Sequence, residues 1–217
     1  MPSPSDLRAR TVTGSVLSLA PVVPVVVLDD LDHAVPLARA LVAGGLPVIE
    51  LTLRTPVALE AIDLIAAEVP EIRVGAGTVT SPGLVGRAVE AGAQFLVSPG
   101  TTPDLLRKMA AAGVPSLPGT ATVSEAMAVL DAGFAEMKFF PAEASGGAAW
   151  LASLASPLPA ARFCPTGGIT AASASAYLSL PNVGCVGGSW PTPAAALAAG
   201  DWDRVTALAR EAAALRA

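Results

Sequence analysis

Lysine is nearly absent from this chain. Of 13 basic residues among 217, only Lys108 and Lys138 are lysines, and no basic stripe exists to neutralise successive phosphates, so no nucleic-acid partner is expected. Histidine occurs once, at His33, in a predicted helix remote from the other polar motifs, where it reads as a surface or packing residue. Cysteine occurs twice, at Cys164 and Cys185. They lie in apolar, strand-like runs whose separation fits neither zinc ligation nor a disulfide framework, which favours buried free thiols. Charged residues are only 14% of the chain against 53% hydrophobic, with a net charge of -5, a balance that excludes an intrinsically disordered protein. Long uninterrupted apolar runs are missing too. The stretch 16–28 is broken by Pro21 and Pro24 and closed by Asp29 and Asp30, and it falls short of the roughly 18 apolar residues of a membrane span. With Asp6 ahead of it, it does not read as a secretory signal either. A cytoplasmic protein with no membrane partner is expected.

What the chain has instead is a rhythm. Eight β-like runs, at 22–28, 47–53, 71–79, 94–100, 114–120, 135–141, 161–168 and 183–189, start 20 to 26 residues apart. Between them lie Ala- and Leu-rich segments such as "VALEAIDLIAAE" and "SEAMAVLDAG", with the apolar spacing of amphipathic helices. Gly44, Gly92, Gly113 and Gly133 close helical stretches where a left-handed residue is wanted. Proline or a small polar residue opens several helices, as in "TPVAL", "SPGLV", "TPDLL" and "TVSEA". Uninterrupted strand–helix alternation implies a parallel sheet, and eight units close a (β/α)8 TIM barrel; an open doubly wound sheet is the alternative. The expected organisation is one domain over 1–217, with an extra N-terminal helix over 1–20, the barrel over 21–200 and a C-terminal helix over 201–217.

Strands of a parallel barrel are buried on both faces and should read as apolar, so polar residues near their carboxyl ends point to the rim that carries chemistry. In "IELTLR", Glu50, Thr52 and Arg54 share one face, either as a wall of a site or as a structural Glu50–Arg54 ion pair. In "EMKFFP", Lys138 shares a face with Phe140. It either snorkels or pairs with Glu136 or Glu143, or its apolar surroundings disfavour the ammonium and leave an amine able to attack a carbonyl. "PTGGI" and "GGSWP" place Thr166, Gly167, Gly168, Gly187, Gly188 and Ser189 in two glycine-rich turns on the seventh and eighth runs, a common phosphate site in barrels. Thr78 in "GAGTV" and Ser98 in "SPG" fall near the same rim.

Taken together, "PVVPVVV", "GGLPVIELTLRT", "VGAGTV", "AGAQFLVSPG", "MKFFPAEASGG", "RFCPTGGI" and "GGSW" resemble the bacterial 2-keto-3-deoxy-6-phosphogluconate aldolases, which often also act on 4-hydroxy-2-oxoglutarate. The similarity runs in order from about residue 20 to the carboxyl end. It implies a trimeric (β/α)8 barrel and a class I mechanism with no metal and no cofactor, on a phosphorylated 2-keto acid. Lys138 would be the Schiff-base lysine and Glu50 the acid/base. Arg54 and Thr78 would hold the pyruvyl carboxylate, Pro99 and Phe140 would wall the pocket, and Thr166 would add a polar contact. Gly167, Gly168, Gly188 and Ser189 would grip the phosphate. The chain departs from some relatives at Asp29 and Asp30, in a region that is basic in them, which bears on its preference for phosphorylated substrate. The competing expectations are an aldolase for the galactonate epimer, and a phosphosugar isomerase or epimerase with Glu50 as base.

Overall fold

The structure, a computed structural model, describes residues 14–216. Nine short strands follow in chain order: β1 (Val22–Val26), β2 (Val48–Thr52), β3 (Arg73–Gly77), β4 (Leu96–Val97), β5 (Ser116–Leu117), β6 (Gly119–Thr120), β7 (Glu136–Phe139), β8 (Arg162–Pro165) and β9 (Val186–Gly188). Between and after them run α1 (Ala34–Ala43), α2 (Ala58–Glu68), α3 (Pro82–Glu90), α4 (Pro103–Ala110), α5 (Val123–Asp131), α6 (Gly147–Leu154), α7 (Ala171–Leu178), α8 (Ala194–Ala199) and α9 (Trp202–Ala213). Every strand pairing is parallel. The sheet is curled, with strand order β5-β4-β3-β2-β1-β9 in one part and β6-β7-β8 in the other. Each of the eight predicted runs contains a strand. The fifth contains two, β5 and β6, because Pro118 between them has no N–H to donate to a ladder.

Burial explains the alternation. All five residues of β2 are buried, as the two covered faces of a parallel sheet require. On β7, Phe139 points outward and stacks on Trp150 of α6 at 4.4 Å between ring centroids, while the neighbouring Lys138 faces the opposite way. The helix starts follow the expected chemistry at Ser81, Thr102 and Thr122, whose side chains accept from the amides of Leu84, Leu105 and Glu125. "TPVAL" does not follow it. The Thr55 hydroxyl donates instead to the Leu28 carbonyl at 2.6 Å, and α2 begins only at Ala58. At the end of α1 the left-handed residue is Gly45 (φ 87) rather than Gly44. Gly44 is needed for close approach, since a Cβ there would lie 2.4 Å from Ala209 of α9. Most of the predicted N-terminal helix, residues 1–13, lies outside the described residues; the described remainder holds one 3-10 turn, Val16–Ser18.

Candidate active site

The carboxyl ends of the strands converge on a cavity of about 280 Å³. At its base two charges that the sequence keeps 88 residues apart meet: Lys138 Nζ donates to Glu50 Oε1 at 3.2 Å. Both side chains are almost inaccessible, at 5% and 3% exposure. A carboxylate and an ammonium taken out of water persist there only because each neutralises the other. The pairing answers both questions left open above, for Lys138 pairs with neither Glu136 nor Glu143, and Glu50 does not pair with Arg54.

Local structure fixes the pair. Lys138 is held by its backbone, its N–H donating to the Pro118 carbonyl at 2.9 Å and its carbonyl accepting from the Thr120 hydroxyl at 3.1 Å. The Phe140 ring lies below the ammonium, 5.2 Å from centroid to Nζ, and supplies a weak attraction for a cation. Glu50 is seated against Gly77 of the neighbouring strand. A Cβ at that glycine would fall 2.2 Å from Glu50 Oε1, so only glycine leaves room for the carboxylate.

Arg54 sits past the end of β2, exposed, with its Nε donating to Thr78 Oγ1 at 3.2 Å. Thr78 has φ 58, a left-handed conformation that costs a β-branched residue energy and is typical of functional loops. Among the described residues no carboxylate lies within 4.0 Å of the Arg54 guanidinium, which leaves it free to receive an anion. Thr52, expected on the same wall, instead donates its hydroxyl to the Val26 carbonyl at 2.9 Å.

The opposite wall is backbone. Gly167, Gly168, Gly187, Gly188 and Ser189 line the cavity together with Thr166, and a parallel bridge Thr166↔Gly187 brings the two glycine turns side by side. Gly167 (φ 104) and Gly168 (φ 81) both adopt conformations that favour glycine. The amides of Gly168 and Ile169 have no backbone acceptor among the described residues.

Of the residues singled out from the sequence, Arg54, Lys138, Phe140, Thr166, Gly167, Gly168, Gly188 and Ser189 line the cavity. Glu50 reaches it through Lys138 and Thr78 through Arg54. The Pro99 backbone lies against β6, 2.3 Å from where a Cβ on Gly119 would sit. Sequence reasoning missed Val25, Val27 and Ile169. The two valines alternate along the first strand run, so the period-2 rule alone could have placed them on one face. His33 packs edge-on against Trp202, 5.2 Å between centroids, in agreement with a packing role. Among the described residues no three His, Cys, Asp or Glu side chains cluster to hold a metal ion, and no helix is long and apolar enough to cross a membrane.

Residues 13–208 match the family described as KDPG and KHG aldolase. The chain is 55% identical over 203 residues to the 2-dehydro-3-deoxy-phosphogluconate aldolase of Dickeya dadantii, covering 94% of this chain and 95% of that one. Identity and coverage are the same for the KHG/KDPG aldolase of Escherichia coli. Among solved structures, the KDPG aldolase of Legionella pneumophila, with pyruvate captured at low pH as a covalent carbinolamine intermediate, superposes with a TM-score of 0.90 at 45% identity over 91% of this chain and 96% of that one. The chain belongs to the KDPG and KHG aldolase family.

Proposed function

We propose that the protein is a class I aldolase that cleaves 2-keto-3-deoxy-6-phosphogluconate to pyruvate and glyceraldehyde 3-phosphate, and 4-hydroxy-2-oxoglutarate to pyruvate and glyoxylate. The observation that carries this reading is the buried contact of Lys138 Nζ with Glu50 Oε1 at 3.2 Å. Transfer of one proton across it leaves a neutral amine facing a carboxylic acid. The amine attacks carbon 2 of the keto acid, and the resulting alkoxide takes the Glu50 proton to give a carbinolamine. Glu50 then takes a proton from nitrogen and returns it to the departing hydroxyl, so that water leaves and a protonated imine remains.

The imine accepts the electrons of the carbon–carbon bond far better than a ketone would. Glu50, again a carboxylate, removes the proton from the carbon 4 hydroxyl, and the bond between carbons 3 and 4 breaks. Its electron pair forms an enamine, and the aldehyde leaves. Glu50 returns the proton to carbon 3, and hydrolysis frees pyruvate and Lys138. The capture of pyruvate as a carbinolamine in the Legionella relative supports this course. Arg54, positioned by Thr78, holds the substrate carboxylate bidentately, Phe140 walls the reacting carbons, and Thr166 supplies a polar contact. Gly167, Gly168, Gly188 and Ser189 receive the phosphate through backbone amides and one hydroxyl.

The sheet's two parts are read as one closed (β/α)8 barrel forming a single domain, supported by the bridge Thr166↔Gly187 between β8 and β9 and by the continuity of β5 with β6 across Pro118. The enzyme works as a cytoplasmic homotrimer; Val123 and Met127, exposed apolar residues one turn apart on α5, are candidate contacts between copies.

Borohydride added with pyruvate reduces the imine to a stable amine, and peptide mass analysis should find the adduct on Lys138. An adduct confined to Lys108, or full turnover by Lys138→Ala, overturns the assignment.

A further inference from the structure

Glu143 and Tyr177 take no part in the chemistry above, yet they meet immediately behind the glycine turn assigned to phosphate. Tyr177, on α7, is the chain's one tyrosine and is 1% exposed. Its hydroxyl donates to Glu143 Oε1 at 2.7 Å. Glu143 itself lies in the loop that leaves β7, in a 3-10 turn with no buried residue. A carboxylate in that position has water as its alternative partner, so the buried phenol determines where it points.

Glu143 touches the glycine turn twice. Its backbone N–H donates to the Gly167 carbonyl at 3.1 Å. Its aliphatic stem occupies the space a side chain on Gly168 would need, with Cγ 2.7 Å and Cβ 2.8 Å from an added Cβ. The preceding residue repeats the pattern, the Ala142 N–H donating to the Thr166 carbonyl at 2.8 Å. The turn is therefore supported from the loop after β7, and the Tyr177 hydroxyl fixes the side chain through which Gly168 rests on that loop. Burial, then the hydrogen bond and charge of Glu143, raise the Tyr177 phenol above its ordinary range, so it stays a donor at every pH at which the enzyme works.

We propose that Glu143 and Tyr177 are positioning residues for phosphate recognition: their hydrogen bond holds the Gly168 and Ile169 amides at the place where the substrate phosphate binds. The proposal rests on the assignment of that turn to phosphate, and it makes the pair a determinant of substrate choice. In 2-keto-3-deoxy-6-phosphogluconate the phosphate hangs two carbons beyond the carbon 4 hydroxyl. In 4-hydroxy-2-oxoglutarate the distal carboxylate is joined to carbon 4 directly and stops short of the turn. Loosening the turn should penalise the first substrate and spare the second.

Tyr177→Phe removes one oxygen and keeps the buried ring. It is compared with Glu143→Ala, which loses the acceptor, and with Glu143→Gln, which keeps one. Steady-state kinetics on both substrates should show KM for the phosphorylated substrate raised about fivefold or more in Tyr177→Phe and Glu143→Ala, with kcat changed less than about twofold. KM for 4-hydroxy-2-oxoglutarate should move less than about twofold, and Glu143→Gln should not weaken either substrate. Inorganic phosphate, used as an inhibitor of the cleavage of 4-hydroxy-2-oxoglutarate, should bind the first two variants more weakly by the same factor. An unchanged KM for the phosphorylated substrate in Tyr177→Phe, or equal losses on both substrates, overturns the positioning role while leaving the aldolase assignment intact. Wild-type protein that cleaves neither substrate overturns the aldolase assignment and the positioning role with it.

Discussion

The two ends of the cavity are built from opposite materials. The end assigned to the reaction is lined by charged side chains on strands: Glu50 and Lys138, both buried and locked to each other at 3.2 Å, with exposed Arg54 beyond them. The end assigned to the phosphate is lined by backbone, in turns where Gly167, Gly168 and Gly188 offer no side chain at all. Proton transfer and imine formation need atoms with tunable charge held within a fraction of an ångström, and strand positions supply that rigidity. A phosphate needs only several donors around a dianion, which glycine amides provide without burying a permanent positive charge. The division predicts that the two ends will fail differently when altered.

The largest effects should come from breaking the buried pair. Lys138→Met should abolish turnover, and Glu50→Gln should lower kcat by about 10²–10⁴-fold, the usual range for a lost acid/base. Stability offers a second reading of the same contact. Lys138→Met leaves the Glu50 carboxylate buried without its cation, which should cost about 3–5 kcal/mol. Combining it with Glu50→Gln should recover most of that loss, because no charge then remains to be desolvated. Urea unfolding of the two single variants and the double variant measures the coupling. Equal and additive losses would show that the pair is not the buried unit its geometry describes.

The far end should lose affinity rather than chemistry. Gly168 has φ 81, and an added Cβ would lie 2.7 Å from Glu143 Cγ, so Gly168→Ala strains the turn on two counts. KM for 2-keto-3-deoxy-6-phosphogluconate should rise about tenfold or more, with kcat falling less than about threefold. The effect on 4-hydroxy-2-oxoglutarate should be smaller still. A fall in kcat on both substrates with KM intact would merge the two ends into one.

Which of these features the sequence revealed follows from the same division. The eight strand runs were legible because strands buried on both faces are apolar throughout and glycine marks the ends of the helices between them. Lys138 and Glu50 were legible for the converse reason, as charged residues inside apolar runs. Their partnership was not, since nothing local joins residues 88 apart; only the curl of the sheet brings β2 and β7 face to face. Ile169, a wall residue outside any strand, carries no signal that separates it from core. Glu143 was noticed only as a possible partner of Lys138, whereas its carboxylate turns away to Tyr177, a choice made by the packing of α7.

A third carboxylate sets the scale against which the cavity can be judged. Glu125, at the start of α5 and largely exposed, accepts from the amides of Ala121 and Thr122 at 2.8 and 2.9 Å while the Thr122 hydroxyl receives the Glu125 amide at 3.3 Å. This reciprocal cap uses neutral donors only. The Ala121 amide first holds the Glu125 carboxyl below its ordinary value; burial opposes it, and the Thr122 hydroxyl and amide add smaller lowering effects. Because the folded value is the lower one, the contribution to stability is present above the ordinary glutamate value of about 4.3 and is lost as pH falls through the folded value. Glu125→Ala should therefore cost up to about 1 kcal/mol at neutral pH, the range for a solvent-screened charge at a helix start, leave KM and kcat on both substrates unchanged, and converge with wild type in acid. Urea midpoints of the two proteins, compared at neutral pH and through the acid range, measure this. A gap that stays constant or widens on acidification would mean that the carboxylate's charge is not what the cap uses, and would remove the surface reference against which the buried Glu50 is to be compared.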